Sequence, residues 1–279
     1  MSEQNKAGLP FIKMHGLGND FVVIDLRGGL DAPAPELVAR IADRHRGVGF
    51  DQMATIQGDA DGAADARLVF WNADGSRSGA CGNATRCIAR LLMDELGADR
   101  LALRTDHTVL QAEDVGAGLT RVNMGAPVLD WRAIPLARDV DIDHLPITGD
   151  PVATGMGNPH MTFFVPDAGL VDLERFGPLH EHHPLYPERT NVEVVQVLSP
   201  DQIILRIWER GTGVTLASGS CSCAAVVAAA RRGLTGRRVT VNVPGGRLLI
   251  DWREDGVWME GPTAEVFRGT LTPAWLADG

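Results

Sequence analysis

The sequence has little positive charge and no long apolar run. It carries 26 lysine and arginine residues against 36 aspartate and glutamate residues, a formal net charge of -10 at pH 7. Nucleic-acid binding needs a basic face for the phosphates, so this charge balance argues against such a partner. The longest apolar run of the second cysteine-containing segment, residues 224–230, is far too short to cross a bilayer. We therefore expect no nucleic-acid partner and no membrane partner.

The first ten residues lack the apolar core of a signal peptide. We expect residues 1–8 to form a flexible tail and the protein to be cytoplasmic. The chain has 279 residues, of which 44% are hydrophobic, and this is enough for one large core or two modest ones.

Metal and dinucleotide signatures are missing. The spacings of the cysteines are not those of the usual zinc ligand pairs. The four residues are Cys81, Cys87, Cys221 and Cys223. The Gly-x-Gly turn at residues 16–18 precedes a strand and not a helix, so it does not match a dinucleotide fingerprint. Residues 180–183 contain three histidines between prolines, a pattern typical of a solvated loop. The sequence thus predicts no metal site and carries no dinucleotide-binding motif.

What the sequence does contain is a cysteine at a glycine-flanked turn, within residues 72–87. A strand pattern at residues 66–71 precedes the turn, and apolar residues at helical spacing follow it from Ala84 to Leu96. Cys81 is therefore predicted at a helix entrance, where unpaired N–H groups and the helix dipole lower a thiol pKa and attract a carboxylate. A small apolar core cysteine is the alternative interpretation of the same pattern.

The second half of the chain repeats the first. Trp71 lies ten residues before Cys81, and Trp208 lies ten residues before Ser218. Residues 16–19 match residues 155–158, and residues 51–52 correspond to residues 190–191, at an offset of 139 in both cases. Matches in one order at a nearly constant offset predict two similar α/β halves, with a ligand in the cleft between them.

Together these motifs resemble the diaminopimelate epimerases, which are pyridoxal-independent amino-acid epimerases and racemases. The resemblance covers almost the whole chain. It is carried by residues 13–21 (KMHGLGNDF), 72–76 (NADGS), 81–87 (CGNATRC), 157–160 (GNPH), 191–193 (NVE) and 209–211 (ERG).

The resemblance implies an α/β (α+β) fold of two pseudo-symmetric halves. Each half is expected to be a curved, mostly antiparallel sheet wrapped around a central helix, with the active site in the cleft between the halves. The expected bounds are 9–125 with 265–279 for the first half and 126–264 for the second. The family further implies a homodimer that needs no cofactor.

The implied reaction interconverts LL- and meso-2,6-diaminopimelate in lysine and peptidoglycan precursor synthesis. Two groups on opposite faces of the α-carbon exchange its proton, and N–H donors hold the carboxylate that takes up the charge. Cys81 and Ser218 occupy these two places, with His160 as the partner that activates Cys81 and Glu209 as the partner of Ser218. The expected carboxylate donors are Gly82, Asn83, Gly219 and Ser220, and the expected contacts to the rest of the substrate are Asn19, Gln52, Asn72, Asn158, Asn191 and Arg210.

Two positions of the second cysteine-containing segment depart from the family pattern. The family has a second cysteine where this chain has Ser218, and Cys221 stands where a glycine is usual. A hydroxyl is a far weaker acid than a thiol, whose ordinary pKa is ~8.5. Three explanations stay open: an engineered replacement that traps the enzyme, a natural variant in which Glu209 or a water assists Ser218, or a transfer of the thiol function to Cys221.

Two alternative functions also follow from this departure. The first is a racemase or a one-base eliminating enzyme that acts on another amino acid. The second is a relative that binds an amino acid without turning it over. Asn72, Asn191 and Arg210 favour a substrate with a second amino-acid head group, and this speaks for diaminopimelate.

Overall fold

The computed structural model describes residues 8–79 and 81–278. The described chain forms two compact units, one comprising the residues up to Thr120 and from Pro262 onward, the other Arg121–Gly261. These boundaries lie five and three residues before the expected ones at 126 and 265. The expected tail lies outside the described residues except for Gly8, which is buried.

Each unit consists mainly of strands. In chain order the elements are β1 (Leu9–Gly16), β2 (Asn19–Asp25), α1 (Pro35–Ala42), β3 (Gln52–Gln57), β4 (Ala66–Asn72), β5 (Arg77–Ser78), α2 (Gly82–Leu96), β6 (Arg100–Arg104), β7 (Val109–Gly116), β8 (Leu119–Asn123), β9 (Val152–Gly155), β10 (Pro159–Phe164), α3 (Leu173–Glu181), β11 (Asn191–Ser199), β12 (Gln202–Glu209), β13 (Gly213–Thr215), α4 (Gly219–Arg231), β14 (Arg238–Val243), β15 (Gly246–Arg253), β16 (Gly256–Pro262), β17 (Ala264–Leu271) and α5 (Pro273–Ala277).

The two units pair their strands in the same way. In the first, β2 runs parallel to β3, β3 antiparallel to β4, β4 parallel to β6 and β6 antiparallel to β7. In the second, β10, β11, β12, β14 and β15 repeat this pattern. The helix α2 packs on strands of the first unit, and α4 packs on strands of the second. The expected α/β (α+β) fold class, two similar halves with mostly antiparallel sheets around a helix, is confirmed.

The strand register reproduces the repeat seen in the sequence. Phe21 pairs with Gln52 across β2 and β3, and His160 pairs with Asn191 across β10 and β11. Both partners in the second pair lie 139 residues after their counterparts. The sequence repeat is therefore a structural repeat, and positions in one unit can be compared directly with positions in the other.

The helix α4 is enclosed as its composition predicts. Its alanine and valine residues from Ala224 to Ala229 are fully buried, because the helix has no polar face to turn outward. The chain leaves the helix through Gly233 at a φ of 67°, a left-handed conformation that favours glycine. None of the helices formed by the described residues has the length and apolar character needed to span a membrane.

The expectation of a solvated histidine loop at residues 180–183 is wrong in part. His180 and Glu181 end the helix α3 and are only 7% and 4% exposed. The His180 ring packs against the rings of Phe163 and Phe176. The helix α3 includes Gly177 and Pro178, two residues of low helix propensity. Gly177 allows α3 to approach the Trp208 ring, since an added Cβ would lie 2.2 Å from it.

Candidate active site

Cys81 lies at the entrance of α2. It is the N-cap residue with extended backbone angles, and its sulfur accepts a hydrogen bond from the N–H of Ala84 at 3.5 Å. The Cys81 carbonyl oxygen accepts two further bonds, from the N–H and the hydroxyl of Thr85. The side chain is half-buried. A helix supplies no internal acceptor for its first N–H groups, so those of Gly82 and Asn83 suit an anion beside the thiol.

A buried arginine orients the side chains beside this turn. Arg86 is fully buried and donates to the Asn83 side-chain oxygen at 3.2 Å, while Asn83 donates to the Asn19 side-chain oxygen at 3.2 Å. The guanidinium approaches Gly16 so closely that an added Cβ would lie 2.9 Å from it. Arg86 therefore connects the helix start to the Asn19 loop. Our sequence reasoning assigned no role to Arg86, although a charged residue on the apolar face of a helix could have indicated a buried polar contact.

Asn19 is also held from its other side by a charged cluster. Its side-chain nitrogen donates to Asp51 at 2.9 Å. Arg44 forms ion pairs of 2.8 Å with both Asp20 and Asp51, and Lys13 pairs with Asp20. Burial raises the pKa of the Asp20 carboxyl, but the hydrogen bonds and charges of Arg44 and Lys13 outweigh it and lower that pKa to about 2.

This lowered pKa predicts that Asp20 stabilises the fold at neutral pH. The pKa of Asp20 is below the ordinary value of 3.8 in the folded state, so its contribution is present above pH 4 and is lost as the pH falls toward 2. Asp20→Asn is expected to lower the free energy of unfolding by about 1–2 kcal/mol at pH 7, with a deficit that shrinks below pH 4. Urea denaturation across this range measures it. The exposed Asp31→Asn is the control, and an equal deficit there would contradict the prediction.

The structure brings Gln52 and Asn72 together on adjacent strands. They are direct partners in the pairing of β3 with β4. The Gln52 amide lies 3.5 Å from the Asn72 side-chain oxygen and 3.2 Å from the Ser78 hydroxyl. The Asn72 amide in turn donates to Ser76. The first unit thus contains all of its expected ligand contacts on β2, β3, β4 and the start of α2.

Ser218 occupies the corresponding place in the second unit. It is the N-cap of α4 with extended backbone angles, and its carbonyl accepts bonds from the N–H and hydroxyl of Ser222, as that of Cys81 does from Thr85. Its side chain makes no cap hydrogen bond. The Ser218 hydroxyl instead hydrogen-bonds with the Cys221 thiol. Gly219 and Ser220 begin the helix here, in the positions that Gly82 and Asn83 hold in α2.

His160 lies in a fully buried polar pair. Its Nδ1 is 2.6 Å from Glu193, and its Nε2 is 2.7 Å from the side-chain oxygen of Asn158. His160 and Glu193 have no exposed surface, and Thr162 donates to the second Glu193 oxygen. Both ring nitrogens thus lie within hydrogen-bond distance of side-chain oxygens. The predicted activation of Cys81 by His160 stays a prediction.

Asn191 is engaged within its own unit. Its amide nitrogen donates to the Pro159 carbonyl at 3.0 Å, and its oxygen accepts the N–H of Arg210 at 2.9 Å. The side chain is 1% exposed. These bonds join β10 to the turn after β12, so Asn191 positions Arg210 and Glu209. The Arg210 guanidinium donates to the Glu188 carbonyl and is half-buried.

Glu181 also holds the turn after β12, a role that our sequence reasoning missed. One carboxylate oxygen accepts the N–H of Gly211 at 3.1 Å and an ion pair from Arg189 at 3.3 Å. The other accepts the indole N–H of Trp208 at 2.7 Å. A glutamate among histidines gave no sign of this contact, because it depends on α3 packing beside β12.

Glu181→Ala is expected to destabilise the fold by about 1–3 kcal/mol, because it leaves the Trp208 indole and the Gly211 N–H without their acceptor. Thermal and urea unfolding measure this. Glu174→Ala, on the exposed face of the same helix, is the matched control and should have little effect. Equal stability of the two variants would show that Glu181 does not hold the turn.

Cys221 differs from Cys81 in its surroundings. It is fully buried, and burial together with the charges of Glu193 and Glu209 raises the pKa of its thiol well above the ordinary value. The thiol donates to Glu193, and the Ser218 hydroxyl donates to the sulfur. Cys221 is therefore a protonated thiol at neutral pH.

Solved structures with the same fold include proteins described as epimerases. A structure described as a predicted epimerase from Pseudomonas aeruginosa superposes with a TM-score of 0.69 at 18% identity, covering 94% of this chain and 99% of that one. A hydroxyproline epimerase from Agrobacterium vitis superposes with a TM-score of 0.68 at 13% identity, covering 94% and 92%. At these identities the likeness establishes the fold alone.

The sequence comparisons define the family. The diaminopimelate epimerase family matches residues 11–129 and 152–266, one segment in each half of the chain. A diaminopimelate epimerase of Acidiphilium cryptum is 53% identical over 97% of this chain and 99% of its own length. Another, from Rhodospirillum centenum, is 50% identical over 95% and 93%. The chain belongs to the diaminopimelate epimerase family and is an isomerase.

Proposed function

We propose that this protein interconverts LL- and meso-2,6-diaminopimelate by proton transfer at the α-carbon, without a cofactor. The observation that carries the proposal is the repeated helix entrance: Cys81 caps α2 and Ser218 caps α4, each followed by N–H groups suited to a carboxylate. Family membership over nearly the whole chain supports the reaction and the substrate.

The chemistry needs both entrances. Removing an α-proton leaves charge that delocalises into the neighbouring carboxylate, and N–H donors aimed at that carboxylate stabilise the transition state. Inversion then requires that a second group deliver a proton to the opposite face. In our proposal Cys81 and Ser218 are these two groups. Glu209 supports Ser218, and His160 supports Cys81.

The remaining polar side chains would recognise the second head group of the substrate. Asn72 and Gln52 present amides from adjacent strands, and Arg210 presents a guanidinium that can grip a carboxylate through two parallel bonds. Asn19 and Asn158 follow corresponding glycine turns in the two units. A substrate with one amino-acid group would leave these contacts unused, which is why the proposal names diaminopimelate.

Solvent deuterium incorporation tests the proposal. The protein is incubated in D2O with pure LL- or pure meso-diaminopimelate, and label and stereochemistry at the α-carbons are followed by NMR. The proposal predicts label together with inversion from either isomer. Label without inversion would point to a single working base, and the absence of label would point to a binding protein; either result contradicts it.

We also propose that the protein works in the cytoplasm as a homodimer. Val266 and Phe267 on β17 are about half exposed, at 55% and 48%, and apolar surface of this kind favours association. Sedimentation at twice the chain mass of 29.9 kDa is expected. A monomer at micromolar concentration would contradict the dimer without affecting the proposed reaction.

A further inference from the structure

The second unit contains a buried polar cluster, and the residues that the structure describes at the equivalent places of the first unit are apolar. His160, Glu193 and Cys221 place their ligating atoms within 4.8 Å of one another, and all three side chains are fully buried. The strand register and the helix caps define the equivalent positions of the first unit. They are Phe21 for His160, Ala54 for Glu193 and Ala84 for Cys221, and all three are fully buried and apolar.

This comparison shows that the fold does not need the cluster. Burying a histidine, a carboxyl and a thiol costs free energy that apolar side chains at the same places avoid. The cluster is also connected to Ser218, because the Ser218 hydroxyl hydrogen-bonds with the Cys221 thiol. From there the contacts run through Cys221 to Glu193 and from Glu193 to His160 at 2.6 Å. A continuous path of exchangeable protons thus leads from the start of α4 into the core of the unit.

We propose that Cys221, Glu193 and His160 form a proton relay that makes Ser218 competent as the second acid/base. Cys221 is in this view a positioning residue for Ser218, and does not touch the substrate itself. The inference rests on the proposed function and extends it, because it states how a hydroxyl can replace an anionic thiol.

The proton transfers balance in both directions. When Ser218 acts as the base, the substrate C–H bond breaks and its proton forms a new O–H bond with the Ser218 oxygen, while the proton already on Ser218 moves to the Cys221 sulfur. The Cys221 S–H proton moves at the same time to the Glu193 carboxylate, which becomes a neutral carboxyl group hydrogen-bonded to His160. When Ser218 acts as the acid, Glu193 returns this proton to the sulfur, the sulfur passes its proton to the Ser218 oxygen, and the Ser218 proton forms the new C–H bond.

The chemical state of Cys221 agrees with this role. Its burial and the nearby carboxylates of Glu193 and Glu209 raise the pKa of its thiol, so it carries a proton to pass on. A hydroxyl that loses its proton with no neighbour to replace it would have to form a full alkoxide, which is unfavourable next to carboxylates. The relay avoids that intermediate.

A double-mutant cycle tests the relay. In the natural background, Cys221→Ala is expected to lower epimerase turnover about 10²-fold, which is the usual effect of losing acid/base assistance. Cys221→Ser keeps an exchangeable proton and should retain most of the activity. In the Ser218→Cys background the thiol at position 218 holds its own charge, so adding Cys221→Ala should change turnover by no more than about twofold.

The matched control is Cys223→Ala, which removes a fully buried thiol from the same helix and should leave turnover unchanged. Circular dichroism confirms that each variant is folded. Equal losses from Cys221→Ala in both backgrounds, or a loss no larger than that of Cys223→Ala, would overturn the relay. An active Ser218→Cys variant beside an inactive natural protein would also overturn it. Inactivity of both proteins would instead reject the proposed function.

Discussion

Cys81→Ala is expected to abolish epimerisation, with turnover at least about 10³-fold below that of the natural protein. The substitution removes the sulfur at the start of α2 but leaves the helix and its N–H groups in place. Binding of diaminopimelate should therefore persist, because the carboxylate donors of Gly82 and Asn83 are backbone groups. Isothermal titration and the NMR assay in D2O separate the two effects.

Cys87→Ala is the control for this experiment. Cys87 is fully buried in the same helix, and burial raises the pKa of its thiol to about 11, so it is not a reactive thiol at neutral pH. Its removal should leave turnover close to that of the natural protein. Full activity of Cys81→Ala would remove the chemical basis of the proposed function.

Arg210→Lys is expected to raise the KM for diaminopimelate about 10²-fold with a smaller change in kcat, because lysine cannot make two parallel bonds to a carboxylate. The Arg210 backbone is held by Asn191, and the side chain donates a hydrogen bond to the Glu188 carbonyl, so the fold should tolerate the change. Steady-state kinetics in both directions measure the effect.

A surface arginine provides the comparison for this variant. Arg238 on β14 is 63% exposed and pairs with Asp251 at 3.5 Å, so Arg238→Lys should leave both kinetic constants unchanged. A fall in kcat for Arg210→Lys with KM unaltered would contradict the assigned role. It would place the guanidinium at the reacting centre instead of at the far carboxylate.

Much of the fold could be predicted because it depends on local patterns. The strand before Cys81 and the apolar spacing of α2 are properties of neighbouring residues, and both elements lie close to their predicted places, at Ala66–Asn72 and Gly82–Leu96. The helix α3 replaces part of the expected loop, because its packing against Trp208 outweighs the low helix propensity of Gly177 and Pro178. Residues such as glycine and proline have a low intrinsic propensity for helix, and tertiary contacts can outweigh this propensity.

The candidate site divides in the same way. Cys81 and Ser218 could be located from the repeat, whereas the contacts of Arg86, Glu181 and Glu193 could not. Arg86 meets Asn83 one turn away and Pro262 far along the chain, and Glu181 meets Gly211 thirty residues later. The packing of strands and helices determines which distant residues contact each other, and these contacts cannot be derived from the residue pattern of a single sequence.

The sequence by itself determined that two halves repeat, that a cysteine and a serine stand at matching helix starts, and to which family the chain belongs. These conclusions need only the order and spacing of residues. Only the tertiary structure decided that His160, Glu193 and Cys221 form one buried cluster, and that the equivalent residues of the other half are apolar. The reason is physical: hydrogen bonds between distant side chains exist only once strand register and helix packing have brought those side chains within 3 to 4 Å.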